Sequence, residues 1–391
     1  MSKQREALWC ALEERSWKGK TLASVTTPAF VIHKDVVQRN CTRMLQTCLS
    51  LGVKLRAQTK THKTIEGIDL QTGGSRRCLV SSTLDECEFL ADHGCDDVLF
   101  GHPLVAHHLH RVTRLTKALE EFHVMVDSEE AVQVLTDAAP PAGKQWSVFL
   151  KLDCGKKRAG VWHQDIELGC TIVKSLTSSN NIIFRGVYTH CGDTYAAANM
   201  QQLEEIRDAN VSRLLVFVKA LEARLGVVCQ TVGVGSTPSC SNPSPLMAQL
   251  TELHPGNYVF YDVQQQLLGS CAQDDIAGAV ATRVIGHYPH RNQMLIDCGF
   301  SGLTKQGEGK MPAAGYGVIK GHPNLRLRSL DQEHGTVEPT GDEELDYSKY
   351  PVGSMLFILP YHSCATAAQY GVYLVVEDGV VMEEWRPTRG W

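Results

Sequence analysis

Ser147-Val148-Phe149-Leu150-Lys151-Leu152-Asp153 is a short, mostly apolar run of strand-forming residues. A helical pattern follows at Asp165–Leu176, and then a second strand-like run, Ile182–His190. Strand, helix and strand in that order form the unit of a parallel sheet, because the helix returns the chain to the start of the next strand. The alternation continues outward in both directions. Further strands are predicted at Ala29–His33, Val53–Lys60, Arg77–Ser82, Asp97–Gly101, Phe122–Asp127 and Val227–Val234. Helices are predicted at Asp35–Ser50, Thr83–His93, Leu104–Glu121, Glu129–Ala138 and Asn199–Leu225. About eight such units in roughly 230 residues fit a closed (β/α)8 TIM barrel better than an open sheet. A doubly wound sheet needs a Gly-x-Gly-x-x-Gly turn after its first strand, and Thr27-Pro28-Ala29 offers nothing like it.

Beyond Tyr261 the texture changes. Helical periodicity fades, and short strands are predicted at Gly278–Tyr288, Gln293–Asp297, Leu325–Leu330, Gly335–Pro339, Met355–Leu359, Val372–Val376 and Val380–Glu384. Asp378-Gly379 between the last two is a hairpin signal, since both residues tolerate the positive φ of a type I′ turn. The expected organisation is a leading segment, 1–25, packing on the β domain, then a barrel over 26–264 and a mainly antiparallel β domain over 265–391.

Composition narrows the class. The 391 residues are 43% hydrophobic with net charge −5, so a full core is expected and no basic stripe suggests nucleic acid. No apolar run reaches the roughly 18 residues of a membrane span, and Met1–Lys20 lacks the apolar centre of a signal peptide. Fourteen scattered cysteines without a Cys-x-x-Cys pair read as reduced, buried residues of a cytoplasmic protein rather than a disulfide framework.

The string Arg56-Ala57-Gln58-Thr59-Lys60-Thr61-His62-Lys63 ends a predicted strand. Alternate residues of a barrel strand face inward, so Arg56, Gln58, Lys60 and His62 are expected to gather at the strand's C-terminal end, where barrel active sites lie. A lysine there, desolvated among cations, becomes a nucleophile; Lys63 is a rival of opposite parity. Val234-Gly235-Ser236-Thr237-Pro238-Ser239 offers small residues and hydroxyls to an anion, in a loop read as following the eighth strand. Pro360-Tyr361-His362-Ser363-Cys364 offers an imidazole and a thiolate, ligands that suit zinc. On an extended segment, His362 and Cys364 would face one side. His107, His108 and His110 read as a polar helix face.

Lys60-Thr61-His62-Lys63 after a short strand, with Thr27-Pro28-Ala29 upstream, resembles the eukaryotic D-serine dehydratases. Their wider group includes D-threonine aldolases and 3-hydroxyaspartate dehydratases, all of the alanine-racemase-type fold. The resemblance implies pyridoxal 5′-phosphate (PLP) on Lys60 as a Schiff base, zinc on His362 and Cys364, a D-amino acid substrate and a homodimer. Tyr188, His190 and Tyr195 match the family's Tyr-x-His-x-Gly-x-Ser/Thr-Tyr pattern. Arg158 matches the arginine of Asp-x-Gly-x-x-Arg-x-Gly, implied to lie near the cofactor ring. Gly256 and Asn257 match Pro-Gly-Asn-Tyr and are implied, with Ser236 and Thr237, to cradle the phosphate. Four positions depart from the family: Ala57, Gln58, Asp193 and Tyr361 stand where Pro, His, His and Asn are common. The implied activity is dehydration and deamination of D-serine to pyruvate and ammonia. An aldolase or hydroxyaspartate dehydratase on the same scaffold is the enzymatic alternative, and a PLP carrier protein the non-enzymatic one.

Overall fold

Backbone hydrogen bonds of residues 54–59 close the parallel sheet on itself. Lys54 and Arg56 N–H donate to the carbonyls of Thr251 and Leu253 on one side, while Ala57 and Thr59 N–H donate to Cys78 and Val80 on the other. One strand, recorded as Lys54–Leu55 and Ala57–Gln58, thus joins Glu252–Leu253 to Leu79–Ser81. Around the ring the remaining strands are Asp97–Pro103, Glu121–Val126, Trp146–Asp153, Ile182–His190 and Thr231–Gly235, each parallel to its neighbour. Counting 54–58 as one strand, the barrel has eight strands among residues 16–391, which this computed structural model describes.

Five of the helices between the strands begin where short polar side chains cap them. Thr64, Thr83, Ser128, Asp165 and Asn199 each accept a hydrogen bond from the backbone N–H three residues on, satisfying a donor the helix leaves open. Left-handed Gly73 and Gly226 close the helices Ile65–Thr72 and Met200–Leu225.

A second sheet is mainly antiparallel. Its strand order is Leu325–Leu330, Gly335–Pro339, Gln293–Ile296, Gly278–Tyr288, Ala29–Ile32, Tyr373–Glu377 and Val380–Trp385, with Met355–Pro360 and Gly317–Ile319 branching from Gly278–Tyr288. The hairpin at Asp378-Gly379 forms as predicted, with Glu377 opposite Val380 and φ values of 47° and 75° at the turn. Residues 19–22 hydrogen-bond to Gly379 and Val381 of this hairpin; the first fifteen residues of the expected leading segment lie outside the described ones. The described residues divide into two units, 16–35 with Ala277–Arg386, and Val36–Ile276 with Pro387–Trp391.

Three expectations need correction. Ala29–Ile32 is not a barrel strand: it runs antiparallel to Gly278–Tyr288 and parallel to Tyr373–Glu377, with all four residues buried. A short apolar run reads the same in either sheet, so periodicity could not place it. The eighth barrel strand is instead Glu252–Leu253, too short at two residues to show a period. Consequently Thr231–Gly235 is the seventh strand, and the loop at Ser236 follows the seventh rather than the eighth. The helix Ile65–Thr72 was also missed.

No helix among the described residues is long and apolar enough to cross a membrane. All thirteen described cysteines are free thiols, nine of them buried.

Candidate active site

Inward-facing residues stack in three levels along the barrel, each two residues beyond the last. The floor is polar. Arg56 donates to Asp97 at 2.5 Å and to Glu252 at 2.9 Å, and His123 joins Asp97 to Ser147 at 3.2 and 2.7 Å. Burial alone would raise the Glu252 carboxyl, but the His254 hydrogen bond and the Arg56 charge hold it down at about 2. Above the floor lies an apolar level of Val80, Leu99, Met125, Phe149 and Tyr188. Above that, Lys151 follows Phe149, and His190 follows Tyr188, at the C-terminal ends of their strands.

Lys60 stands at this upper level, on a turn just past the first strand. Gln58 Oε1 accepts the Lys60 N–H at 3.1 Å, and the Lys60 side chain is exposed. Burial first, and then the charges of Lys60, Lys151 and Arg158, push His190 well below the ordinary imidazole value. Burial, Lys151, Arg158 and Lys60 lower His102 in the same way. Three cationic side chains thus converge on one end of the barrel, a setting that favours a neutral imidazole and an anionic ligand.

Not every residue of the lysine string joins them. Arg56 belongs to the floor. His62 is fully buried, held by Gln71 at 2.8 Å and Thr64 at 3.1 Å, and burial pushes it down to about 4. The strand ends at Gln58, so strand parity no longer applies at His62. Lys63 is committed elsewhere, to Glu86 at 2.5 Å.

Two loops meet beside the cationic end. Ser236 Oγ caps the short helix Thr237–Ser241 and bonds to Ser239 Oγ at 2.8 Å and Thr194 Oγ at 3.1 Å. Thr237 Oγ1 accepts the Tyr258 N–H at 3.3 Å, joining this loop to Pro255-Gly256-Asn257 after the eighth strand. The Asn257 amide donates to Asp262 at 2.7 Å. Side chains therefore build the loops, and small residues leave their backbone approachable. A Cβ on Gly256 would come within 3.0 Å of Gln58, and one on Gly235 within 2.2 Å of the Tyr188 hydroxyl. Phosphate sites of barrels characteristically lie after strands seven and eight, where these loops are. Gly235→Ala is expected to displace Tyr188 and cost about 1–3 kcal/mol of stability, the usual cost of overpacking; a thermal melt checks it.

The remaining candidates surround this end of the barrel. Tyr188 stacks on His254 with centroids 4.5 Å apart, and its hydroxyl lies 3.5 Å from His190 Nδ1. Burial pushes the Tyr188 phenol up, and Tyr195 lies close enough to add to that. The Arg158 loop is shaped by Asp153, whose carboxylate accepts the N–H groups of Gly155, Lys157 and Arg158 at 2.8–3.0 Å. Asp193 accepts from Asn210 at 2.7 Å, tying its own turn to the helix Met200–Leu225.

In the other unit, Cys364 lies in the first turn of a short helix, Ser363–Ala367, and His362 is its cap. The expected extended segment is therefore absent, and the same-side argument for the pair fails. Among the described residues no three His, Cys, Asp or Glu side chains gather as a metal site. The pair's donor chemistry suits zinc, but as two protein ligands, with other positions left to water or substrate.

Lys151 and His102 were not singled out in the sequence. Lys151 was readable, because it shares inward parity with Ser147 and Phe149. His102 was not, because the predicted strand stopped at Gly101.

Residues 32–263 match the family described as alanine racemase, N-terminal domain, and residues 277–376 match a putative serine dehydratase domain. Barrel and β sheet together define the class of alanine-racemase-type proteins. The chain is 32% identical to the D-serine dehydratase of Dictyostelium discoideum, over 94% of this chain and 98% of that one. The solved D-threo-3-hydroxyaspartate dehydratase of Delftia sp. HT23 superposes with a TM-score of 0.88 at 30% identity, covering 95% of this chain and all of that one. A mutant of D-threo-3-hydroxyaspartate dehydratase, cysteine to alanine and in the metal-free form, matches equally well at TM-score 0.88 and 30% identity, over 95% of this chain and 100% of that one. The chain belongs to the D-serine dehydratase family, whose members are lyases.

Proposed function

We propose that the chain is a PLP- and zinc-dependent D-serine ammonia-lyase, forming pyruvate and ammonia. The observation that carries this reading is Lys60 at the C-terminal end of the barrel among Lys151, Arg158 and His190. The anionic phosphate of PLP fits the loops at Gly235–Thr237 and Gly256–Asn257, with Ser236 and Thr237 supplying donors. Arg158, Tyr188, His190 and Tyr195 would border the ring of bound PLP. Bound PLP supplies an electron sink for the pair left on the substrate's Cα. Lys60 would hold the cofactor through its aldehyde, and its ε-amine is the base placed to take the substrate's α-proton. His362 and Cys364 would hold zinc, which would supply Lewis-acid polarisation to the substrate's β-hydroxyl. That assistance matters because hydroxide is a poor leaving group. Mutants of the solved relative replace a histidine and a cysteine two positions apart, the cysteine mutant being in a metal-free form, and that spacing is the one His362 and Cys364 have here.

Product analysis with D-serine, D-threonine and D-threo-3-hydroxyaspartate tests the reading. Pyruvate from D-serine supports it. Glycine from D-threonine would make the chain an aldolase, and oxaloacetate from hydroxyaspartate would favour the reading suggested by the Delftia relative. No turnover of any of them, with PLP bound, would leave a carrier. A chelator is expected to stop turnover and zinc to restore it. His362→Ala and Cys364→Ala are expected to lose zinc by elemental analysis while keeping the absorbance of lysine-bound PLP; retained zinc would refute the assignment. A cytoplasmic homodimer completes the reading, and a fully active monomer by light scattering would remove its dimeric part.

A further inference from the structure

Lys151 has a position that the proposed roles leave unexplained. Its side chain enters the barrel between the apolar level and the mouth, and the residue is only 4% exposed. Its ammonium lies 4.8 Å from the centroid of the Tyr188 ring and 3.8 Å from the Met125 sulfur. Neither is an oxygen acceptor. Two carboxylates are near, but both face loop amides: Asp153 takes the N–H groups of Gly155, Lys157 and Arg158, and Asp127 takes that of Gly160 at 2.9 Å. Neither forms an ion pair with Lys151 among the described residues. The other charged or titratable groups around it are Arg158, Lys60, His102, His190 and His254, none of them anionic. A buried ammonium without an oxygen partner is costly, and a protein keeps one where a ligand brings the partner.

We propose that Lys151 is an anion anchor, its ammonium receiving an oxyanion of the bound ligand at the deep end of the site. The inference rests on the catalytic reading above. Two sources carry the required chemistry, the carboxylate of the amino acid and the phenolic oxygen of PLP. Burial, with Arg158 next, pushes Lys151 down to about 8. An oxyanion beside it restores its proton affinity, so anion binding takes up a proton near that pH and tightens as pH falls through it.

The test uses the full chain, as wild type, Lys151→Met and Lys151→Gln, the second in case the first does not fold. Sodium acetate at constant ionic strength is the first probe, because it needs no cofactor. It is expected to raise the melting temperature of wild type at pH 7 more than at pH 9, and of neither variant at either pH. PLP uptake by absorbance is the second probe, and binding of D-alanine and of carboxylate-free ethanolamine to the PLP-loaded protein is the third. A tenfold or greater loss for PLP in the variants assigns the anchor to the cofactor oxygen. A tenfold or greater loss for D-alanine, with ethanolamine unchanged, assigns it to the carboxylate. Acetate, PLP and D-alanine binding all within twofold of wild type would overturn the proposal. A wild type that takes up no PLP would sink the catalytic reading instead, and the acetate result would still decide the anchor.

Discussion

Replacing Lys60 with alanine is expected to lower pyruvate formation from D-serine by roughly 10⁴-fold or more, the upper end of what a positioned proton carrier contributes, because in the proposed function the same amine also holds the cofactor. The side chain is exposed and the turn is held by backbone and Gln58, so the melting temperature should stay within a few degrees of wild type. The absorbance of lysine-bound PLP should vanish while free PLP still associates through the phosphate loops. Lys60→Arg should fail equally, since a guanidinium keeps the charge but cannot supply a neutral amine. Lys63→Ala is the control. Its partner is Glu86, which is almost fully buried, so its loss should appear chiefly in stability. Activity surviving in Lys60→Ala but lost in Lys63→Ala would reverse the assignment of the two lysines.

The second large effect is structural. Arg56→Ala leaves Asp97 and Glu252 facing each other in the barrel floor without their shared cation. Removing one partner of a buried ion pair costs about 3–5 kcal/mol, measurable as a shifted urea midpoint with an unchanged slope. The pH dependence should weaken as well. In the wild type both carboxyls are depressed, Glu252 to about 2 and Asp97 further still, against the opposing effect of burial. Their stabilisation is fully present above the unfolded carboxylate value near ~4 and is lost as pH falls towards and through those folded values. Without Arg56, burial is opposed only by the His123 and His254 hydrogen bonds, so both carboxyls rise from their wild-type values and the variant should lose less stability than wild type on acidification. A variant with the wild-type acid profile would show that Arg56 does not set the floor's charge state.

Much of the barrel was legible because its strands repeat one local signal. Trp146–Asp153 and Ile182–His190 are apolar runs bounded by helical patterns, and the observed bounds nearly coincide with the predicted ones. Glycines carried information too: Gly235 is required by the Tyr188 hydroxyl beside it, a non-local reason behind a locally visible Gly-Ser-Thr string. What misled was locality itself. Ala29–Ile32 has the composition of a barrel strand, yet its partners lie at 278–281 and 373–375, far along the chain. Glu252–Leu253 is a strand only because Val234 and Leu55 flank it. The His-x-Cys pair was read as extended because nothing in five residues announces a one-turn helix.

The order of residues alone determined the alternation of strands and helices, the placing of the lysine string at a strand's end, the hairpin at Asp378-Gly379 and the small residues of the loops at Gly235 and Gly256, because each depends on neighbours a few positions away. Only the tertiary structure decided which sheet took Ala29–Ile32, which loops follow strands seven and eight, and that Arg56 serves the floor while Lys151 stands without an oxygen partner near the mouth. Those outcomes turn on pairing and charge compensation between residues far apart in the chain, and such energies exist only once the barrel has closed.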